Sequence, residues 1–431
     1  MAGYYAAGMT ERATFELYVR ELPANRSFLI AAGLKQALEY LENVRFSKED
    51  IDYLRSLPSL QGARREFFDE YLPRFRFTGE VWAVDEGMPV FPPGPLLRVT
   101  APLPEAQLVE TALLAQIAFQ TSVASRAARI VEAASGRPVV EFGARRAHGT
   151  EAGVLAARAA FLSGCESTSN VEAGRRFGIP LSGTMAHSWV TAFPTELAAF
   201  RQYAEVFGDR TVLLLDTYDT VAATRSIAAS GLRPGAVRLD SGDVIALSRR
   251  VRAILDEAGL HDTTIFVSGD LDEWRIAEMV AAGAPVDGFG VGAALSTSSD
   301  APSLGAIYKL VEIERDGVAV PIMKRSPGKQ TYPGRKQVWR VFDNGTAVAD
   351  VIELAGDDDG TQVGRPLLTR VMRDGRRESA PQLLADLRAR SRVRIAELPA
   401  SVRRLHDPAR YAIRFGSALQ SAIERASARE R

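Results

Sequence analysis

Cysteine is nearly absent: Cys165 is the only one among 431 residues. A single thiol closes no disulfide within the chain and builds no cysteine-based zinc site, which suits a reducing compartment. No apolar run approaches the roughly 20 residues that a membrane-spanning helix needs. The opening MAGYYAAGMTERATFELYVRELP carries Glu11, Arg12 and Glu16 where a secretory signal needs an apolar stretch. Net charge is also missing, since 53 Lys plus Arg offset 53 Asp plus Glu. That balance excludes a chain-wide positive field, the usual drive toward nucleic acid or a membrane surface. The expectation is a cytoplasmic protein with neither kind of partner.

Two nucleotide-binding signatures are lacking as well. SPGKQT has neither the glycine spacing nor the GK[ST] ending of a P-loop, so a standard P-loop kinase is a poor reading. GFGVGAA lacks the third glycine of a dinucleotide fingerprint and comes late in the chain, which disfavours a Rossmann oxidoreductase. What is present is ordinary folded composition, 46% hydrophobic and 25% charged, with 35 Gly and 22 Pro. At roughly 150 residues per domain, the length fits two or three domains.

From Phe28 to about Leu72 the apolar spacing is helical, with Leu34, Ala37, Leu38 and Leu41 on one face and a capping box from Ser47 to Asp50. Short alternating runs between Phe75 and Thr100 predict antiparallel strands, and Pro104 to Ala134 predicts one long helix. A different regime follows. The runs PVVEFG, GIPLSGT, TVLLLDT, AVRLDSGD, TIFVSGD and VDGFGVG alternate with helical segments, and the steps Asp216 to Asp240, Asp240 to Ser268 and Ser268 to Gly292 are 24, 28 and 24 residues. That period is one strand plus one helix, which predicts a parallel α/β sheet, closed or doubly wound. After Tyr308 strand-like runs return, with an acidic loop GDDDG, and the Arg-rich stretch from Arg388 reads as an amphipathic helical end. Residues 1–135, 136–310 and 311–431 form the expected divisions.

In a (β/α) barrel the C-terminal strand ends converge on the active site. Those ends here carry Arg145 and Arg146, Arg238, and the carboxylates of Asp216, Asp240 and Asp270. Guanidinium forks bind phosphate in bidentate fashion, and carboxylates can hold Mg²⁺ against a pyrophosphate. A second basic cluster comprises Lys324, Arg325, Lys329, Arg335 and Lys336. The glycines of GDL at Gly269 and of GFGVGA allow backbone N–H groups close to a phosphate. His187, in SGTMAHSWV, sits at a strand-end loop where nucleophilic or acid–base work is feasible.

Eight segments in order resemble the nicotinate phosphoribosyltransferase family of type II phosphoribosyltransferases: ERATFELYVRELPANRSFLIAAGL, EFGARRAHG, TSNVEAGRRFGIPLSGTMAHSWV, LLLDTYDT, VRLDSGD, VSGDLDE, GVGAALSTSSDAPSLGAIYKLVEI and SPGKQTYPGRKQVWR. The resemblance covers nearly the whole chain. It implies an irregular α/β barrel with an α/β sandwich domain built from the N-terminal and C-terminal segments. It also implies a homodimer that makes nicotinate mononucleotide and pyrophosphate from nicotinate and 5-phosphoribosyl 1-pyrophosphate, with Mg²⁺ and at the expense of ATP, in NAD salvage.

By the same resemblance His187 is the histidine that ATP phosphorylates. Phe142 stacks on the pyridine ring, and Arg145 lies near its carboxylate. Arg238 and Asp240 contact the ribosyl pyrophosphate, and Asp216 stands behind the pyridine and metal region. Ser268, Gly269, Asp270, Gly290 and Gly292 belong to the turns that hold the 5′-phosphate and ribose, while Lys324, Lys329 and Lys336 lie in the basic segment near pyrophosphate or ATP phosphates. Three departures accompany the match. The family's opening TDLY-like segment, whose tyrosine stacks on the ring from the partner subunit, is not represented before Met1. Ala293 replaces a threonine in the GVGT turn, and CESTSN replaces a turn that contains aspartate. These keep two further readings open: a nicotinamide-preferring enzyme, and a catalytically reduced homologue that binds the ligand as a sensor or partner.

Overall fold

The strand Arg12–Val19 lies inside a seven-stranded sheet and is buried from Ala13 onward. Its apolar face, Ala13, Phe15, Leu17 and Val19, joins one core with Leu97, Val99 and Tyr308, while Thr14 and Glu16 are buried on the other. Burying each such large side chain contributes about 1.5–3 kcal/mol. In this computed structural model, which describes residues 1–326, 329–356 and 364–428, the chain packs as two units. The first comprises Met1–Ser122, Ser303–Leu383 and Arg390–Arg431; the second comprises Val123–Pro302 and Leu384–Ala389. The sequence boundaries at 135 and 310 differ because the helix Glu110–Ala133 runs unbroken across the first division.

In the first unit the seven strands run in the order Val318–Pro321, Ala306–Arg315, Arg12–Val19, Leu97–Pro102, Glu80–Val84, Leu368–Arg373, Arg376–Arg377. Every neighbouring pair is antiparallel. N-terminal and C-terminal segments therefore build one sheet, as a sandwich domain requires. A second sheet pairs Lys336–Asp343 with Thr346–Leu354 and adds Ala412–Phe415 in parallel, a strand inside the stretch read as a helical end. Helices Leu384–Ala396 and Ser417–Ala428 supply the helical part of that stretch. The expected capping box is formed: Ser47 Oγ accepts the Asp50 N–H, and Asp50 accepts the Ser47 N–H. The long helix expected from Pro104 is two, Leu103–Leu108 and Glu110–Ala133, parted at Val109. Residues 357–360 of the acidic loop and Pro327 and Gly328 of SPGKQT fall outside the described residues.

The second unit holds a six-stranded, all-parallel sheet in the order Ser167–Thr168, Val139–Glu141, Gly288–Val291, Thr264–Val267, Ala236–Leu239, Val212–Leu214. First and last strands of a barrel-like circuit meet at Phe289 and Val139, and the circuit is left open between Leu181 and Val212. The expected strand at GIPLSGT is reduced to a single bridge between Thr168 and Leu181. Pro180 has no N–H to give a ladder, so only its carbonyl takes part, accepting from Thr168 N at 3.0 Å. One face of the strands is apolar, with Val237, Leu239, Ile265, Val267, Phe289 and Val291 all buried, while Arg238 lies on the other. No helix among the described residues is long and apolar enough to cross a membrane.

Candidate active site

Each parallel strand hands its last residues to a loop at the same end of the sheet. Two kinds of acidic residue occupy those loops, and the structure separates them. Asp219, Asp243 and Asp272 cap the following helices, accepting from Ala222 N, from Ala246 N, and from Trp274 N and Arg275 N. Asp216 and Asp240 instead point at other side chains.

Arg238 organises that second group. Its Nε donates to Ser268 Oγ at 2.7 Å, one terminal nitrogen to Thr184 Oγ1 at 2.6 Å and the other to Asp240 Oδ1 at 2.5 Å. Ser268 Oγ donates in turn to the same Asp240 oxygen at 2.5 Å. Burial raises the Asp240 pKa, but the Ser268 hydrogen bond and the Arg238 charge outweigh it, and the carboxyl ends below its usual range. Asp216 completes the chain. Oδ2 accepts Asp240 N–H at 3.2 Å and Ser241 Oγ–H at 2.5 Å, and Oδ1 lies 3.3 Å from His187 Nε2. Of the expected residues, His187, Asp216, Arg238, Asp240 and Ser268 thus form one connected network. The imidazole is 45% exposed, so it remains open to a reactant.

Phe142 and Arg145 stand at the end of Val139–Glu141 in the same sheet. The Arg238 guanidinium lies 5.7 Å from the Phe142 ring centroid, and Phe266 packs against that ring at 5.9 Å. A Cβ on Gly290 would stand 2.6 Å from the Phe142 ring, so only glycine leaves the ring its place. Gly269 has φ +91°, and a Cβ there would overlap the Asp240 carbonyl. The next residue, Asp270, also adopts a positive φ of 46° and is exposed. Gly292 has no such constraint, its nearest contact being Phe142 O at 3.7 Å. Arg145 is exposed and makes no hydrogen bond or ion pair among the described residues, which leaves its fork available to an anion.

The basic cluster belongs to the first unit. Lys324 and Lys329 are exposed there. Lys336 is not free for an anion: it is buried, and its ammonium meets Glu16 at 2.9 Å and donates to the carbonyls of Tyr332 at 2.8 Å and Gly334 at 2.7 Å. An ion pair and two carbonyl hydrogen bonds therefore occupy the ammonium.

Sequence reasoning did not single out Thr184, Ser241, Glu141 or Glu196. Thr184 and Ser241 lie inside quoted motifs, and only their contacts mark them. Burial, with Asp219 and Asp216 adding repulsion, pushes the Glu196 carboxyl up to about 7. A cavity of about 170 Å³ is lined by the strand starts Val212, Ala236, Thr264 and Gly288 and by Phe266 and Thr184, the last of which accepts from Arg238.

Sequence models of the nicotinate phosphoribosyltransferase (NAPRTase) N-terminal domain, family region and C-terminal domain match residues 1–118, 138–346 and 359–422. A nicotinate phosphoribosyltransferase of Mycobacterium tuberculosis is 46% identical over 94% of this chain and 86% of its own length. One from Bacillus subtilis is 46% identical over 79% of this chain and 70% of its own, and the human protein of that name is 30% identical over 98% and 93%. The crystal structure of human nicotinic acid phosphoribosyltransferase superposes with a TM-score of 0.85 at 28% identity, covering 98% of this chain and 97% of that one. Three successive domain matches, identity across nearly the full length and the same α/β architecture make this chain a member of the nicotinate phosphoribosyltransferase family.

Proposed function

We propose that the chain transfers the 5-phosphoribosyl group of 5-phosphoribosyl 1-pyrophosphate to nicotinate, giving nicotinate mononucleotide and pyrophosphate, with ATP turnover coupled through His187. The observation that carries this reading is the unbroken hydrogen-bonded chain from Arg238 through Ser268, Asp240 and Asp216 to His187 at the strand ends of a family member.

The transfer breaks the bond from the anomeric carbon to pyrophosphate, positive charge develops on the sugar, and the pyridine nitrogen closes the new bond. Little covalent help is needed, so position and charge dominate. Asp240, held ionised, presents its second oxygen to the ribose hydroxyls. Arg238 fixes that carboxylate and lies beside the face of Phe142, where the ring stacks. Arg145 meets the nicotinate carboxylate, for which a planar fork is better matched than for an uncharged amide. Gly269 and Asp270 offer a turn to the ribose 5′-phosphate, and Lys324 and Lys329 bring cations to pyrophosphate or ATP phosphates.

The residues present fit Mg²⁺, because Asp240 Oδ2 and the Asp270 carboxylate accept no hydrogen bond among the described residues, and a hard cation takes one or two carboxylates with phosphate oxygens. When bound it would neutralise charge on the leaving pyrophosphate. At His187, with Nε2–H directed to Asp216, the free lone pair is on Nδ1. That nitrogen attacks the terminal phosphorus of ATP, ADP leaves, and water later returns the phosphoryl group as phosphate. The added charge beside Asp216 and Asp240 couples this cycle to pyrophosphate binding and release. The working form is a cytoplasmic homodimer.

The test is mononucleotide formation by the purified chain with 5-phosphoribosyl 1-pyrophosphate and Mg²⁺, offering nicotinate or nicotinamide, each with and without ATP. Turnover of nicotinate that rises with ATP is expected. Preference for nicotinamide, or no turnover of either base, overturns the reading; light scattering checks the dimer.

A further inference from the structure

Glu141 ends the strand Val139–Glu141 with its side chain fully buried. No cation faces it among the described residues. Its partners are two uncharged donors: Oε1 accepts Gly143 N–H at 2.5 Å, and Oε2 is 2.6 Å from the Thr168 hydroxyl. The Thr168 oxygen already accepts Asn170 N–H at 2.9 Å. A protonated Glu141 would donate into Thr168 and leave the threonine hydrogen without an acceptor, so the ionised form satisfies every group.

A buried carboxylate without a counter-ion is a net cost to stability, and burial accordingly raises its pKa. The two hydrogen bonds fix position. The turn that Glu141 grips is held on every other side too. Phe142 N–H donates to Val291 O at 2.8 Å, Ser296 Oγ–H donates to Gly143 O at 3.1 Å, and a Cβ on Gly143 would overlap Ser296. The second turn in its grip, Thr168–Asn170, is fixed to the same strand by Ser169 N–H on Glu141 O at 3.0 Å.

We propose that Glu141 is a positioning residue for the pyridine acid: its buried, unpaired carboxylate locks the Phe142–Gly143 turn against Thr168 and so sets where Phe142 and Arg145 present themselves. This rests on the reading that Phe142 and Arg145 receive the base. The ribosyl pyrophosphate groups Asp240, Arg238 and Gly269 hang on other strands, so the two substrates respond differently to loss of the clamp.

The experiment compares wild type, Glu141→Leu, Glu141→Gln and Thr168→Val by KM and kcat for each substrate, by calorimetric binding of nicotinate, and by Tm. Glu141→Leu removes both acceptors, and a small misplacement of a binding group costs as much as 100-fold. Its KM and Kd for nicotinate should rise about 10- to 100-fold while KM for 5-phosphoribosyl 1-pyrophosphate stays within about three-fold. Glu141→Gln still accepts from Gly143, so it should recover most of that loss with a Tm at or above wild type. Nicotinate binding like wild type in Glu141→Leu overturns the proposal, as does parallel loss for both substrates with a falling Tm. Where Glu141→Leu does not fold, Thr168→Val decides, and an unchanged KM for nicotinate overturns the proposal. Wild type that binds nicotinate without turning over defeats the functional reading alone; wild type that does not bind nicotinate defeats both.

Discussion

His187 and Asp216 meet through Nε2 and Oδ1 at 3.3 Å, while the other oxygen of Asp216 takes the Asp240 N–H at 3.2 Å. One carboxylate therefore joins a half-exposed imidazole to the strand end that carries Asp240. In the proposed reaction, phosphoryl chemistry at the ring and binding of the sugar would be linked through this one carboxylate.

From that connection, His187→Ala should abolish phosphoenzyme formation and the ATP-dependent gain in turnover, with Tm little changed because an exposed side chain opening the short helix His187–Thr191 contributes little core. Asp216→Asn should keep the histidine but lower phosphoenzyme yield, since it no longer holds one tautomer by charge. Radiolabel from ATP γ-phosphate retained on the protein reads both; ATP-stimulated turnover surviving in His187→Ala would sink the assignment.

Arg145 is exposed and has no partner among the described residues, so removing it should touch affinity rather than folding. Arg145→Ala is expected to raise KM for nicotinate by about 10-fold or more, the worth of a charge-assisted hydrogen bond, with Tm unchanged. An equal loss of affinity and Tm would make Arg145 structural.

Gly290→Ala tests the space beside the Phe142 ring. The new methyl would stand 2.6 Å from Phe142 and 2.9 Å from Phe266. Overpacking of this kind costs about 1–3 kcal/mol, and displacement of Phe142 should weaken base binding beyond the stability loss. Denaturant titration and KM for nicotinate together measure it, and wild-type values for both would show that the rings yield freely.

Lys336 and its neighbours separate structure from substrate binding within one basic segment. Lys336→Met strands Glu16, which is fully buried, and breaking a buried pair from one side costs about 3–5 kcal/mol. Lys324→Ala and Lys329→Ala, both at exposed positions, should stay within about 0.5 kcal/mol in stability and instead raise KM for a phosphate-bearing substrate. A stable Lys336→Met protein would contradict the account of its burial.

Glu196 predicts a pH dependence. In the unfolded chain its carboxyl ionises near the ordinary value of about 4.3, whereas in the folded protein burial and two aspartates hold its pKa up at about 7. Between those values the folded state binds the extra proton, so stability from this group is full in acid and declines as pH rises toward 7. Glu196→Gln should therefore raise Tm relative to wild type at pH 8 and alter it least near pH 4. A lower Tm than wild type at pH 8 would mean that the ionised carboxylate makes favourable contacts.

Much was determined by the sequence alone. The period of one strand and one helix is local, because side-chain alternation and helical spacing follow from backbone geometry; it located the strands that end at Glu141, Leu214, Leu239, Val267 and Val291. The same period placed Asp216, Arg238, Asp240 and Ser268 at one end of the sheet before any contact was known, and the Ser47 capping box was legible for the same local reason. Tertiary structure alone decided which like residues do different work. Lys336 meets Glu16 across 320 positions of chain, and nothing near it in sequence sets it apart from Lys324 or Lys329. Asp219 caps a helix while Asp216, three residues earlier, holds a histidine. Glu141 looks like the end of an apolar run until burial and two donors give it a task. GIPLSGT has the apolar character of a strand yet forms one bridge, because pairing depends on a neighbour's free edge as much as on the residues themselves. Partners distant in sequence are chosen by packing, and no local pattern records that choice.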